Sequence, residues 1–183
     1  TLNNGGKVII PAFSVGRTQL LVYTLHQLVD AGRLPDFPIF VDSPLSVNAT
    51  EVFRLHPECF NRDIYTFLRE KENPFGMDNL TYIRKASESI KLNTLDEPAI
   101  IISSSGMCEA GRIRHHLKNN ISDPNDLILF VGYCAYNTLG AVIRAGIDPV
   151  YIFGEPHEVK ARVASFDGFS GHADRKELGR YVE

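Results

Sequence analysis

The sequence predicts an α/β fold with a mainly parallel sheet and flanking helices, one antiparallel edge strand being left open. Three observations carry this. Short runs rich in Val and Ile alternate with segments of helical period along the 183 residues. One run, 98–103, holds three consecutive isoleucines, as in a strand covered on both faces. Most such runs end in Gly, Ser or Asp, the chemistry of a turn at a strand end.

Taken in order, residues 7–11 form the first apolar run, and 13–18 the turn after it. Residues 18–31 carry Leu20, Leu21, Tyr23, Leu25, Leu28 and Val29 on one broad face, predicting a helix closed by Gly32. A second strand covers 39–41. A helix starts near Pro44, where proline is favoured, and runs through Val52, Phe53 and Leu55. The pattern weakens over 56–79. A helix at 63–70 is expected there, followed by a strand at 81–84 and a helix at 86–92. After the strand at 98–103 come a helix at 110–119, a strand at 126–131, a helix at 138–145, and strands at 150–153 and 159–166, with 154–158 as a hairpin turn. A last helix covers 175–182, with Asp174 as its N-cap and Glu177 as the capping-box partner.

Composition excludes several classes. The net charge is −3, so no overall basic field draws nucleic acid to the chain. Cys59, Cys108 and Cys134 show no Cys-x-x-Cys spacing, which fits free thiols in a reducing, cytoplasmic setting. No run is long enough to span a membrane. Neither a P-loop nor a Gly-x-Gly-x-x-Gly turn is present, and no His/Asp cluster has metal-ligand spacing, so no metal ligand is assigned in this chain. Opening on Thr1 just before a strand, the chain reads as a fragment of a longer protein.

Ligands of such sheets lie beyond the carboxyl ends of the strands. His172 stands there in a glycine-rich turn, Phe-Asp-Gly-Phe-Ser-Gly-His-Ala-Asp, over 166–174. Ser103, Ser104, Ser105 and Gly106 offer hydroxyls and backbone N–H groups that suit an anion, with a helix start behind them. An ordinary serine-rich turn accounts for the same residues. Arg17 near a helix start suits a phosphate, or is a surface charge. Arg112 and Arg114 form a local basic patch or a mixed solvent face. His115 and His116 diverge by about 100° on a helix and cannot easily share one metal ion. The Asp42-Ser43-Pro44 turn is a catalytic candidate, or more simply Asp42 at the strand end caps the next helix. Cys108 reads as inert.

Five segments in order resemble the β-CASP region of metallo-β-lactamase-fold nucleases, the family of the mRNA 3′-end-processing endonuclease and its bacterial and archaeal relatives. They are Ile-Pro-Ala-Phe-Ser-Val-Gly-Arg-Thr-Gln (10–19), Val-Asp-Ser-Pro-Leu (41–45), Ile-Ser-Ser-Ser-Gly-Met (102–107), Gly132-Tyr133 with Thr-Leu-Gly (138–140), and Gly-Phe-Ser-Gly-His-Ala-Asp (168–174). The resemblance implies a Rossmann-like β-CASP lobe over 1–165 and a return segment, 166–183, toward a metallo-β-lactamase domain of the same full-length chain. It implies a zinc-dependent ribonuclease whose two zinc ions are held by residues outside this sequence, so that the fragment alone is inactive. His172 would act at the scissile phosphate as proton donor or charge stabiliser, a role that suits an imidazole of pKa about 6.5. Ser103, Ser104, Ser105, Gly106, Ser170, Gly171 and Arg17 would bind RNA. A homodimer is a further partner expectation. The alternatives are a non-catalytic RNA-binding homologue and an unrelated nucleotide-binding α/β domain.

Overall fold

The computed structural model describes residues 1–71, 73–166, 168–169 and 175–182. Six strands form one all-parallel sheet: β1 (Val8–Pro11), β2 (Ile39–Asp42), β3 (Leu80–Ile83), β4 (Ile100–Ser103), β5 (Leu127–Phe130) and β8 (Arg162–Ser165), in the order β3-β2-β4-β1-β5-β8. A separate antiparallel pair, β6 (Val150–Ile152) and β7 (Glu155–His157), lies between β5 and β8 in sequence. The helices are α1 (Arg17–Asp30), α2 (Pro44–Leu55), α3 (Arg62–Lys71), α4 (Ala86–Leu92), α5 (Ile113–Asn120), α6 (Leu139–Arg144) and α7 (Arg175–Val182).

The alternation of side chains along each strand makes two cores. Val8, Ile10, Ile39, Val41, Ile100 and Ile102 face one side, where Leu21 and Val22 of α1, Phe53 of α2 and Phe67 of α3 pack. Ile9, Ile101 and Ile128 face the other, against Leu92 of α4, Ile113 and Leu117 of α5 and Ile143 of α6. Burial on both faces explains why these strands read as apolar runs.

The winding reverses once. Connections leaving β1 and β2 cross the α1/α2 side, while the connection leaving β4 crosses the α5 side. β4 lies between β1 and β2. Adjacent strands whose connections part to opposite faces open a crevice at their carboxyl ends, where α/β folds place ligands.

Three expectations change. The open edge strand is parallel: β8 pairs with β5 in the register Leu127↔Arg162. The segment expected as one turn, 154–158, contains β7, because the reversal needs only two residues, Phe153 (φ 54) and Gly154 (φ 83). The helix expected from 110 begins at Ile113, since Gly111 has φ 83 and cannot sit in a right-handed helix. The cap of α7 expected at Asp174 lies outside the described residues. Among the described residues no helix is long and apolar enough to cross a membrane.

Candidate nucleic-acid interface

Asp42 ends β2 and Ser43 follows it, and their side chains leave opposite faces, as consecutive residues of extended backbone must. Ser43 (φ −160, ψ 114) turns to the α1/α2 side, where its Oγ caps α2 by accepting from Ser46 N–H at 3.2 Å. The same oxygen accepts from Ser104 Oγ at 2.9 Å and lies 3.3 Å from Ser14 Oγ. Hydroxyls from the ends of β1, β2 and β4 therefore meet in one row. Gln19 of α1 holds the turn beside it. Its Nε2 donates to Ser14 O (3.2 Å) and Thr50 Oγ1 (2.9 Å), and its Oε1 accepts from Gly16 N–H (2.6 Å).

Asp42 is not the helix cap expected from the sequence; Ser43 is. The Asp42 carboxylate turns to the α5 side and is 0% exposed. It accepts from Arg112 Nη1 at 2.6 Å, His116 Nε2 at 2.7 Å and Ser89 Oγ at 2.5 Å. A carboxylate can only accept, so His116 carries its proton on Nε2. Burial pushes the Asp42 carboxyl up, but the hydrogen bonds from His116, Ser89 and Arg112 outweigh it and hold the group below its ordinary range. Arg112 also donates to the carbonyls of Arg84 (2.7 Å) and Ile83 (3.4 Å), at the end of β3. It belongs to this cluster and not to a solvent face. His116 Nδ1 is buried and has no partner among the described residues.

The loop 104–112 bridges these two groups. It closes on itself through Ser105 N–H to Ala110 O (3.0 Å), Cys108 N–H to Ser105 O (3.1 Å) and Ile113 N–H to Ser104 O (3.3 Å). Closure demands glycine at 111, where a Cβ would stand 2.2 Å from Ser104 O. Glycine at 106 lets the loop lie against the β1 turn, with a Cβ position 3.3 Å from Phe13 N. The backbone N–H groups of Gly106 and Met107 find no acceptor among the described residues. The next loop is tied on: Gly140 N–H donates to Met107 O (3.0 Å) and Leu139 N–H to Glu109 Oε1 (2.5 Å). Phe13, Tyr133 and Tyr136 are exposed along the same edge.

The predicted site residues divide accordingly. Ser104, Ser105 and Gly106 lie in the crevice loop and are partly exposed. Ser103 is buried, and its hydroxyl donates to Asp42 O at 2.8 Å, so it ties β4 to β2 and presents no hydroxyl at the loop surface. Arg17 opens α1, half-buried, with its guanidinium 5.9 Å from the ring of Phe169. Its Nη1 is buried without a partner among the described residues. Arg17 thus lies beside the residue that precedes Ser170. Ser170, Gly171 and His172 themselves lie outside the described residues. His115 and His116 do diverge: His115 packs on Phe153 at 4.7 Å between centroids, while His116 is buried on Asp42. Arg114 lies over the Phe153 ring at 4.4 Å and so is not part of a basic patch with Arg112. Cys108 is buried, and burial pushes its thiol well up, consistent with an inert residue. Among the described residues no three of His, Cys, Asp and Glu gather as a metal-ligand set, so these residues do not fit a zinc site. Sequence reasoning pointed to the strand ends at 13–17 and 42–43 but missed Gln19, Ser89 and the clustering of partners on Asp42. The one usable signal was Asp42 itself, a charge in phase with the buried face of an apolar strand.

Comparison with known proteins gives the family of this chain. The family model of the Beta-Casp domain matches residues 18–143. That of the Zn-dependent metallo-hydrolase RNA specificity domain matches 156–183. A ribonuclease of Thermus thermophilus is 38% identical over 97% of this chain and 41% of its own length. An RNase J-like protein of Methanocaldococcus jannaschii is 35% identical over 100% of the chain and 41% of its own. The transcription termination factor FttA of Pyrococcus abyssi is 37% identical over 100% of the chain and 29% of its own. The chain thus spans well under half the length of these relatives. With a family model covering more than half of its residues, the chain belongs to the β-CASP family of the metallo-β-lactamase fold.

Proposed function

We propose that this chain is the substrate-binding, cleft-closing lobe of a zinc-dependent ribonuclease that hydrolyses RNA phosphodiester bonds. One observation carries the reading: the strand ends of β1, β2 and β4 bring the loop 104–112 to the sheet's crevice with the Gly106 and Met107 N–H groups unengaged among the described residues. Backbone N–H groups and serine hydroxyls suit phosphate oxygens and carry no base preference. Ser104, Ser105 and Gly106 would hold the RNA backbone, with Arg17 beside them. Ser103 would serve indirectly, by fixing β4 to β2. Ser170, Gly171 and His172 would complete the site from the segment after Phe169. The return segment is taken as 166–183, and its partner as a metallo-β-lactamase domain in the same full-length chain. The ligands of the zinc ions would lie outside residues 1–183. A cytoplasmic location and a homodimer belong to the same reading.

The imidazole of His172 is assigned the proton delivered to the leaving oxygen, or the charge that balances it. The test is His172→Ala in the full-length protein. Turnover should fall far more than RNA affinity, because a group acting only in the transition state lowers kcat and leaves binding alone. An equal loss in both would reject the assignment.

A further inference from the structure

We infer that Asp42 and Ser43 are positioning residues that pin the loop 104–112 across the end of the sheet, one pin on each face. This rests on the reading of that loop as the phosphate-binding element. The two residues are consecutive, so their side chains leave opposite faces. Ser43 grips the first residue of the loop, through Ser104 Oγ at 2.9 Å. Asp42 grips the last, through Arg112 Nη1 at 2.6 Å. The loop is thereby an arch over the carboxyl end of β4, fixed at both feet by one dipeptide of the neighbouring strand. Both grips are buried: Asp42 is 0% and Ser43 2% exposed, so neither touches a bound polyanion. Arg112 is committed as well, since its fork also takes the Ile83 and Arg84 carbonyls. Lysine cannot copy a fork held at three acceptors. His116 and Ser89 steady the carboxylate from α5 and α4. The arch encloses a hydrogen-bonded ring of its own, and the two feet set its tilt together with the tie of Met107 O and Glu109 to the next loop. Its tip, at Gly106 and Met107, inherits that tilt, and hydrogen-bond donors aimed at a phosphate lose strength steeply with misalignment.

The test uses the full-length protein and a fluorescein-labelled oligouridylate, with chelator present so that binding is read without turnover. Anisotropy is recorded across a salt series. Lysine and arginine contacts set the slope of log affinity against log salt, about 0.7 per phosphate neutralised on a single strand, and the uncharged N–H and O–H donors of the arch do not. Asp42→Asn and Ser43→Ala should each weaken binding about tenfold, the order carried by one hydrogen bond to a charged group, and leave the slope as in wild type. Arg112→Lys, which keeps the charge, should do the same. Ile121→Ala, a buried truncation beyond the far end of α5, should lower thermal stability and leave both readings alone. If the pin variants lose stability but keep wild-type affinity, the residues are merely structural and the inference is overturned. Should Asp42→Asn fail to fold, Ser43→Ala and Arg112→Lys decide alone. Met107→Pro deletes a donor at the arch tip and tests the reading beneath. If it leaves affinity unchanged, the phosphate-binding loop is wrong. If it weakens binding while the pin variants do not, only the pinning is wrong.

Discussion

Asp42→Asn also tests the buried cluster as a source of stability. The wild-type carboxylate accepts three hydrogen bonds, at 2.6, 2.7 and 2.5 Å, with no exposure to water. A carboxamide keeps one acceptor and turns the other position into a donor. Placed toward Arg112, that donor faces a guanidinium; placed toward α5, it faces the His116 N–H and the Ser89 hydroxyl. Either way one bond is lost and Arg112 has no counter-charge. Removing one partner of a buried ion pair costs about 3–5 kcal/mol. The Arg112 side chain is 19% exposed and keeps two carbonyl acceptors, which favours the lower end, about 3 kcal/mol. In a domain of this size that is a fall of roughly 6–12 °C in Tm. The sign with pH follows from the depressed carboxyl. Its contribution is complete above the unfolded value, about 3.9, and is lost as pH falls through the lower folded value. Asp126, whose carboxyl burial pushes up, acts the other way but is common to both proteins and cancels. Urea unfolding followed by circular dichroism should give a constant gap between wild type and variant from about pH 7 to 5, shrinking below about pH 4. A gap under about 1 kcal/mol at neutral pH, or one unchanged in acid, would refute the ion-paired description.

Other consequences can be checked separately. Gly111→Ala forces an L residue to φ 83 and sets its Cβ 2.2 Å from Ser104 O; thermal melting should show a loss of at least about 2 kcal/mol. Under native conditions a thiol reagent should modify Cys59 and spare Cys108 and Cys134, which are buried; mass spectrometry of the labelled peptides decides this, and labelling of Cys108 first would contradict the packing. Metal analysis of residues 1–183 after dialysis should find less than one zinc per chain, because the described residues offer no ligand set; a tight stoichiometric ion would overturn the assignment of the zinc ligands to residues outside this sequence.

Much of the fold was legible because local chemistry and tertiary need coincide. Continuous Val and Ile runs such as 98–103 can only be strands buried on both faces, and α2 announces itself with Pro44 after Ser43. The serine loop was legible as a candidate because a turn at a strand end needs small and polar residues. The hairpin was misplaced because Phe153 adopts a positive φ, which favours glycine and which no local rule assigns to phenylalanine.

Local chemistry along the chain therefore settles the alternation of elements, the membership signalled by five ordered segments, and the set of strand ends at which a ligand could bind. Which residues meet at those ends is a matter of the assembled sheet. Asp42 and Arg112 are 70 positions apart and Asp42 and His116 74, and nothing local links them. They become neighbours because β4 inserts between β1 and β2, and the alternating side chains of a strand send Asp42 to one face and Ser43 to the other. Strand order is a non-local property, fixed by how two apolar faces are buried together, so no reading of single segments could place that carboxylate beneath the loop it holds.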